Sequence, residues 1–510
     1  MKGNANMTKK VLSLILAVLM LLPMAVACAE TPTEGDTTSA DPTLTTAPPS
    51  NTEVPEETEL ASKTLPADLK FNGETVTILS RDASFVSDEI WVDDLNGAMV
   101  NDAIYKRNAK VMEQLNVSIE SIQLSGDAYA VSTELRNAAS NGEAYFDIAA
   151  NSTYSTIMYT SENIFLDLTE CDYLDLDAIY WSQGYNESAS IGNSQYLATG
   201  ALALSLYRLM FITFYNKTLL AEAQYENLYT VVDEGRWTLD YQIQLSKDLY
   251  KDADGSGTVS EGDTVGFAGS TLSYLDPYWS SCDIQIITKD ADNHFVYSLD
   301  SEKLSNTIDK LIVLFHQSNA WFDRSSGDDG KQTAMSNLFT SGNVGTATLR
   351  LGSVETEQFI SMQDEYGIIP MPKYDENQEK YYTFLHDQFT SIGISSVHSS
   401  DEEKVQMLGA VLEAMALESY KTVVPAYYEV ALKGRYLDDS DSWRMLDMIY
   451  ENVKVDAGVL YTKNLGSIHQ TPRDMIDTGK NSITSLLKAI NRQIEKQFLP
   501  KLLNELLALE

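Results

Sequence analysis

Residues 74–80 read ETVTILS, 101–114 NDAIYKRNAKVMEQ, 117–122 VSIESI, 128–139 AYAVSTELRNAA and 146–150 FDIAA. The first is a β-branched run between Asn72-Gly73 and Arg81-Asp82, which is a strand pattern bounded by turn residues. The second places Ala103, Ile104, Val111 and Met112 on one helical stripe. Alternation returns over 117–122, helical spacing over 128–139, and 146–150 reads as a buried strand ending at Asn151-Ser152. Strand, helix, strand, helix, strand within about eighty residues requires a parallel, right-handed α/β sheet with helices on both faces. Ligands of such sheets sit beyond the carboxyl ends of the strands, here the segments after Ser80 and Ala150.

The chain has 510 residues, with 74 acids against 36 bases, a net charge of −38, three cysteines and five histidines. That length holds two or three domains. The charge excludes nucleic acid as a partner, because phosphates must be neutralised by Lys and Arg, and it disfavours docking on anionic lipid. So few Cys and His leave little for a disulfide framework or a zinc cluster. Lys2, Lys9 and Lys10 precede an apolar run from Val11 to Ala27, so residues 1–27 read as a signal peptide. The run ends Ala25-Val26-Ala27-Cys28, which looks like a lipobox with Cys28 lipidated, although Ala25 stands where Leu is usual. The other reading is an ordinary A-x-A cleavage site. No later stretch offers 18 consecutive apolar residues, so a lipid-anchored position on the outer face of the cytoplasmic membrane is expected. Residues 28–70, rich in Thr, Pro and acids, read as a disordered tether. Nine acids and two lysines in 29–70, with three lysines in the signal, leave −34 on residues 71–510.

The succession of elements resembles a known family. After the opening strand and helix come YFDIAAN, FLDLTE, SQYLATGALALSLYRLMFITFYNKTLL, EGRWTLD, LFTSGNVGTATLR, YGIIPMPKYDENQEKYY and LGAVLEAMALES. This order is similar to the extracellular solute-binding lipoproteins of ABC importers, in the maltose- and multiple-sugar-binding group. FYNKTLL and EGRWTLD resemble that group's "YNK…L" and "TW-D/E" stretches, and GIIPMPK its "G-x-x-P-x-P" stretch. Thr199-Gly200-Ala201 departs from the Gly-Asp that many relatives carry. The resemblance implies a two-lobed, periplasmic-binding-protein-like (type II) α/β fold with interleaved lobes joined by a hinge. Lobe one would hold 71–185 and 373–422, and lobe two 190–370 and 423–510. It implies a monomer that captures a carbohydrate, an oligosaccharide above all, and delivers it to permease subunits.

Residues 252–263 read DADGSGTVSEGD. Asp252, Asp254, Ser256, Thr258 (through its carbonyl), Ser260 and Asp263 fall at positions 1, 3, 5, 7, 9 and 12 of a calcium loop, with Gly257 at the sharp turn. Neutral Ser256 and the short Asp263 predict weak affinity, on the order of 10⁻⁴–10⁻³ M, for a structural calcium ion. The other reading is an acidic, Gly-rich surface turn.

A sugar site needs aromatic platforms rimmed by carboxylates, amides and arginines, and the chain has 28 Tyr and six Trp. The family topology points to Arg81, Asp82 and Trp91 after the first strand, and to Asn151, Ser152 and Tyr154 after Ala150. It points also to Tyr207 and Arg208 at the crossover, to Tyr274, Asp276, Tyr278 and Trp279 in lobe two, and to Arg350, His386 and Asp387. Trp237 reads as packing, with Thr238 as helix N-cap. Cys171 and Cys282 either pair in this compartment or stay as buried thiols. SLLKAINRQIEKQFLPKLLNELL reads as an amphipathic helix that Pro500 should break or kink.

The chain contains no H-E-x-x-H, G-x-S-x-G, G-x-G-x-x-G or P-loop lysine motif. A binder rather than an enzyme is therefore expected. A surface glycan-binding or glycan-degrading lipoprotein, or a ligand sensor for a signalling receptor, stays open, because catalytic carboxylates have no fixed spacing. A body so negative should repel anionic solutes unless Arg81, Arg350 or a bound cation locally reverses the field.

Overall fold

The computed structural model describes residues 61–83, 86–260, 262–324, 328–432 and 440–509. The signal segment 1–27 and Cys28 lie outside them. β1 (Glu74–Arg81) leads through a short helix at Ser87–Ile90 to α1 (Met99–Leu115), β2 (Val117–Leu124), α2 (Ala130–Asn141) and β3 (Ile148–Ser152). Next come β4 (Phe211–Asn216), α3 (Leu239–Asp248), β5 (Val265–Ser270), α4 (Asp276–Ser281), β6 (Ile287–Lys289) and β7 (Phe295–Tyr297). They are followed by α5 (Ser301–Gln317), β8 (Trp321–Asp323), α6 (Asp328–Thr340), β9 (Val344–Arg350) and β10 (Tyr366–Ile369). The chain closes with β11 (Thr390–Ile394), α7 (Glu402–Glu418), α8 (Ser440–Glu451), α9 (Thr471–Thr478), α10 (Ile483–Gln493) and α11 (Leu499–Leu507).

Two sheets organise these elements. The first has strand order β11-β3-β1-β2 and the second β10-β4-β9-β5-β8. In the first, β2, β1 and β3 run parallel, with Val76 opposite Ile119 and Ile78 opposite Ile148, and β11 runs antiparallel with Ile392 opposite Ala150. Helices cover these strands, so both faces are apolar and the strands read as short continuous runs. Helix ends follow local chemistry. Asn116 and Gly142 take the left-handed conformation that closes α1 and α2. Thr238 Oγ1 accepts from the Tyr241 N–H at 3.2 Å to start α3. Trp237 before it is fully buried, its indole N–H on the Pro370 carbonyl at 3.0 Å.

Sheet one belongs to one lobe and sheet two to the other, and three segments join them. Met210 bridges Leu385, Ala198 bridges Ile392, and Thr383 bridges Val453. The Phe211 N–H donates to the Phe384 carbonyl (3.0 Å) and the His386 N–H to the Leu209 carbonyl (3.1 Å), which ties the first two crossovers side by side.

Three boundaries differ from the sequence reading. Residues 195–200, placed there in lobe two, pack on lobe one: Leu168 donates its N–H to the Gln195 carbonyl and Ala198 pairs with β11, while Ser190 and Gly192 stay bonded to Lys289 and Asn293 of lobe two. Gly200 is the reason the turn closes there, since an added Cβ would stand 2.2 Å from the Tyr180 carbonyl oxygen. Part of the 28–70 tether is docked: Ser62 Oγ donates to Glu413 at 2.8 Å, Thr64 Oγ1 to the Tyr173 carbonyl at 2.6 Å, and Leu65 and Leu69 pack against the core. The C-terminal segment touches both lobes, with α10 on α5 and α11 against residues 157–162. Pro500 does not end that last helix. The ladder widens into a π-turn over Ile494–Phe498 and resumes as α11, with Pro500 in its first turn where a missing N–H is harmless. Cys171 and Cys282 are both buried free thiols.

Candidate functional site

The carboxyl ends of β1, β3, β5 and β9 converge on the 384–390 crossover. Arg81, the last residue of β1, is buried and donates through Nη2 to the Gln388 carbonyl and to Thr390 Oγ1 (3.5 Å). Burial lowers its pKa to about 10, with the Glu89 charge opposing that shift. Glu89 is itself buried, accepts the Ser205 N–H at 2.8 Å and the Thr390 hydroxyl, and is raised above the ordinary carboxylate range by burial. Arg107, also buried, donates to the Glu89 carbonyl (3.1 Å) and the Ile90 carbonyl (2.6 Å).

A second network faces it from lobe two. Asp276, at the start of α4, is 3% exposed. Its carboxylate accepts Arg473 Nε at 2.7 Å, a second Arg473 nitrogen, and His469 Nε2 at 3.1 Å. His469 Nδ1 accepts the Trp279 indole N–H at 3.1 Å, which assigns the proton to Nε2. Burial raises the Asp276 pKa, but His469 and Arg473 outweigh it, so the carboxyl lies below its usual range. Asp387 behaves oppositely: burial and the Asp276 charge push it up to about 6. Its backbone carbonyl accepts the Tyr154 N–H at 2.8 Å, which ties lobe one to the crossover. His386 is held neutral by burial and by Arg350, Arg473, Arg81 and His469 around it.

The remaining sequence candidates divide into two groups. Tyr154 is half-buried, 6.3 Å from the Tyr129 ring, with Lys463 Nζ 5.0 Å above it. Arg350 lies against the Phe211 and Tyr274 rings, which also touch each other edge to face at 5.2 Å. Asp82 is exposed and accepts Ser125 Oγ (2.9 Å), and Trp91 donates its indole N–H to Asp93 (3.0 Å). The others pack. Tyr207 is stacked on Tyr450 at 5.2 Å inside a tyrosine cluster, and Tyr278 Oη meets Thr348 Oγ1 at 2.8 Å in the lobe-two core. Asn151 donates to Ser132, Ser155 and Thr156 hydroxyls, Ser152 is fully buried, and Trp279 is spent on His469. Arg208 bridges Glu355 (3.1 Å) and Asp88 (3.4 Å) at the hinge. These side chains are spent on packing and on protein partners in the core or at the hinge. Glu89, Arg107, Tyr129, Lys463, His469 and Arg473 carried no local signal.

The 252–263 loop forms a separate site between α3 and β5. Carboxylate oxygens of Asp252, Asp254 and Asp263 lie within 4.8 Å of one another. Asp252 accepts the N–H groups of Gly255, Ser256 and Gly257, which curls the loop, and Gly257 has φ +74° as position 6 demands. Ser260 Oγ donates to Asp254 (3.0 Å) and Asp263 (3.2 Å), and Ser256 Oγ to the Thr258 carbonyl (2.9 Å). The three carboxylates so gathered offer oxygen donors of the kind a hard divalent cation takes.

Two α/β lobes joined by paired crossovers, with polar side chains gathered at the junction, define a two-lobed α/β fold. No protein-family model matches the chain, and no curated protein sequence matches it. Solved structures do. The cyclic alpha-maltosyl-1,6-maltose binding protein from Arthrobacter globiformis is similar at 15% identity and TM-score 0.55, over 83% of this chain and 98% of that one. The ABC substrate-binding protein Lmo0181 from Listeria monocytogenes, in complex with cycloalternan, is similar at 14% identity and TM-score 0.53, with the same coverages of 83% and 98%. The galacto-N-biose-/lacto-N-biose I-binding protein of the ABC transporter from Bifidobacterium longum is similar at 13% identity and TM-score 0.54, over 85% and 98%. The fold is that of these ABC sugar-binding proteins. Among the described residues, no helix is long and apolar enough to cross a membrane.

Proposed function

We propose that this protein captures a carbohydrate, an oligosaccharide above all, between its two lobes and delivers it to the permease of an ABC importer. The observation that carries this reading is the shared two-lobed fold, 98% of whose length in the sugar-binding proteins above is spanned by this chain. The mechanism is reversible capture without covalent change. Ligand contacts made by both lobes favour the closed state by their differential free energy, and the paired crossovers at 198–211 and 383–392 serve as the hinge. Closed lobes together present the surface a permease reads. Cys28 would carry the lipid that holds a monomeric protein at the outer face of the membrane. The test is calorimetric titration against α- and β-linked oligosaccharides, with the sugar recovered and chromatographed. Binding with intact sugar is the expected result; release of shorter products would overturn it in favour of a glycan-degrading enzyme.

The loop at 252–263 is proposed as a structural calcium site, held by Asp252, Asp254, Ser256, the Thr258 carbonyl, Ser260 and Asp263. What supports this is the oxygen-only convergence described above. With the weak affinity the ligand set implies, 10 mM calcium would stabilise the fold by about 1–3 kcal/mol. The melting temperature should therefore rise by a few degrees over that in chelator, and Asp252→Asn should abolish the difference. Coincident melts with calcium and with chelator would refute the site.

A further inference from the structure

Arg350 is a cleft arginine that makes no ion pair among the described residues and feels the charge of Asp387 only at a distance. It ends β9 at the carboxyl edge of sheet two, paired in register with Phe211 beside the 384–387 crossover. Its guanidinium carbon lies 5.4 Å from the Phe211 ring centroid and 5.3 Å from that of Tyr274. Among the described residues its one hydrogen bond is a long one, Nη2 to Ser273 Oγ at 3.5 Å, and its buried Nε has no acceptor. Two of its neighbours at the junction hold carboxylates in direct contact, Arg473 that of Asp276 and Arg208 those of Glu355 and Asp88, whereas Arg81 and Arg107 feel the charge of Glu89 and Arg350 that of Asp387. A half-buried arginine with no carboxylate in contact and an unbonded Nε leaves its fork open to an oxygen acceptor from outside. A guanidinium held by ring faces keeps its in-plane N–H groups for a planar, bidentate oxygen acceptor. Lys463, exposed above Tyr154 on the lobe-one side, likewise meets no carboxylate among the described residues. The junction therefore offers two cations, from different segments, in a body that is otherwise strongly negative.

From this geometry we infer that the captured saccharide is acidic: a uronic-acid-containing oligosaccharide whose carboxylate is received by Arg350, with Lys463 assisting from the opposite wall. This rests on the saccharide-capture reading and adds the substrate class. The balance of charge over the whole chain would repel such a ligand, and the cleft is where that field is locally reversed.

The test uses the full chain and matched pairs of probes: oligogalacturonides against their carboxyl-reduced twins, and glucuronic-acid-bearing xylo-oligosaccharides against unsubstituted ones. In at least one pair the acidic member should bind tenfold or more tightly than its neutral twin at 50 mM salt. Raising salt to 500 mM should weaken the acidic member several-fold and leave the neutral one within twofold. Arg350→Gln should bring the ratio close to one, and Arg350→Lys should restore part of it. Because the salt arm needs no variant, a misfolded Arg350→Gln protein does not blunt the test. Neutral members binding as tightly in every pair, or a preference untouched by both salt and Arg350→Gln, overturns the acidic class and leaves saccharide capture standing. Binding of no saccharide, acidic or neutral, overturns both.

Discussion

Replacing Asp276 by alanine is the most demanding perturbation the junction offers. The carboxylate is 3% exposed and takes both arms of the Arg473 fork as well as His469 Nε2 at 3.1 Å. Its loss removes the carboxylate in direct contact with the largely buried Arg473 guanidinium and the acceptor of His469 Nε2. Removing one partner of a buried ion pair costs about 3–5 kcal/mol. Asp276→Asn keeps the shape and one acceptor but not the charge, and should cost about half as much. The pair is coupled, so Asp276→Ala with Arg473→Ala should cost at least 1 kcal/mol less than the two single changes added, as is usual for contacting residues. Urea unfolding followed by tryptophan fluorescence reads this directly, since Trp279 donates to the same His469. The sign with pH is fixed too. The carboxyl lies below its unfolded value, so its contribution is complete above the ordinary carboxylate pKa and is lost as pH falls through the folded one. A loss under 1 kcal/mol for Asp276→Ala, or strict additivity of the double variant, would refute the reasoning.

Other expectations concern neighbouring groups. Asp387, raised to about 6, costs the folded state up to about 3 kcal/mol while ionised, and that cost is relieved as pH falls from 6 toward 4. Asp387→Asn should therefore raise the melting temperature at pH 8 and leave it unchanged near pH 4; an equal shift at both would contradict the assignment. Glu413 is fully buried and accepts from Ser62, Tyr180, Trp181 and the Asp175 N–H. Glu413→Gln puts an N–H group where acceptors are needed and should cost about 1–3 kcal/mol while exposing residues 62–65 to protease, which timed digestion would show. Gly200→Ala places a methyl 2.2 Å from the Tyr180 carbonyl, so a loss of about 1–3 kcal/mol or more is expected by denaturant titration.

The part of the fold that was legible in the sequence is the part encoded locally. ETVTILS, VSIESI and the strand before Asn151 alternate or run apolar because helices cover both faces, and each occurs as a strand of sheet one. The Thr238 cap and the Trp237 anchor were readable for the same reason, since a cap is three residues long. The loop at 252–263 was visible because its six positions are consecutive in the chain. The junction was not. Asp276 meets Arg473 across 197 residues and Glu89 meets Thr390 across 301, and no spacing rule links them. Tyr207, Tyr278 and Trp279 show the converse error: an aromatic beside a crossover satisfies a ligand pattern and a core pattern equally, and only the packed neighbours decide. The lobe boundary falls later than 190 because the 195–200 segment adds to sheet one through a single bridge, too short to show strand alternation.

The central claim, carbohydrate capture between two lobes, is tested most directly by the melting temperature of the chain across a panel of acidic oligosaccharides, neutral oligosaccharides and peptides. Stabilisation by one or a few oligosaccharides, growing with their concentration, is the predicted result. Stabilisation by peptides alone, with every saccharide silent, would contradict it.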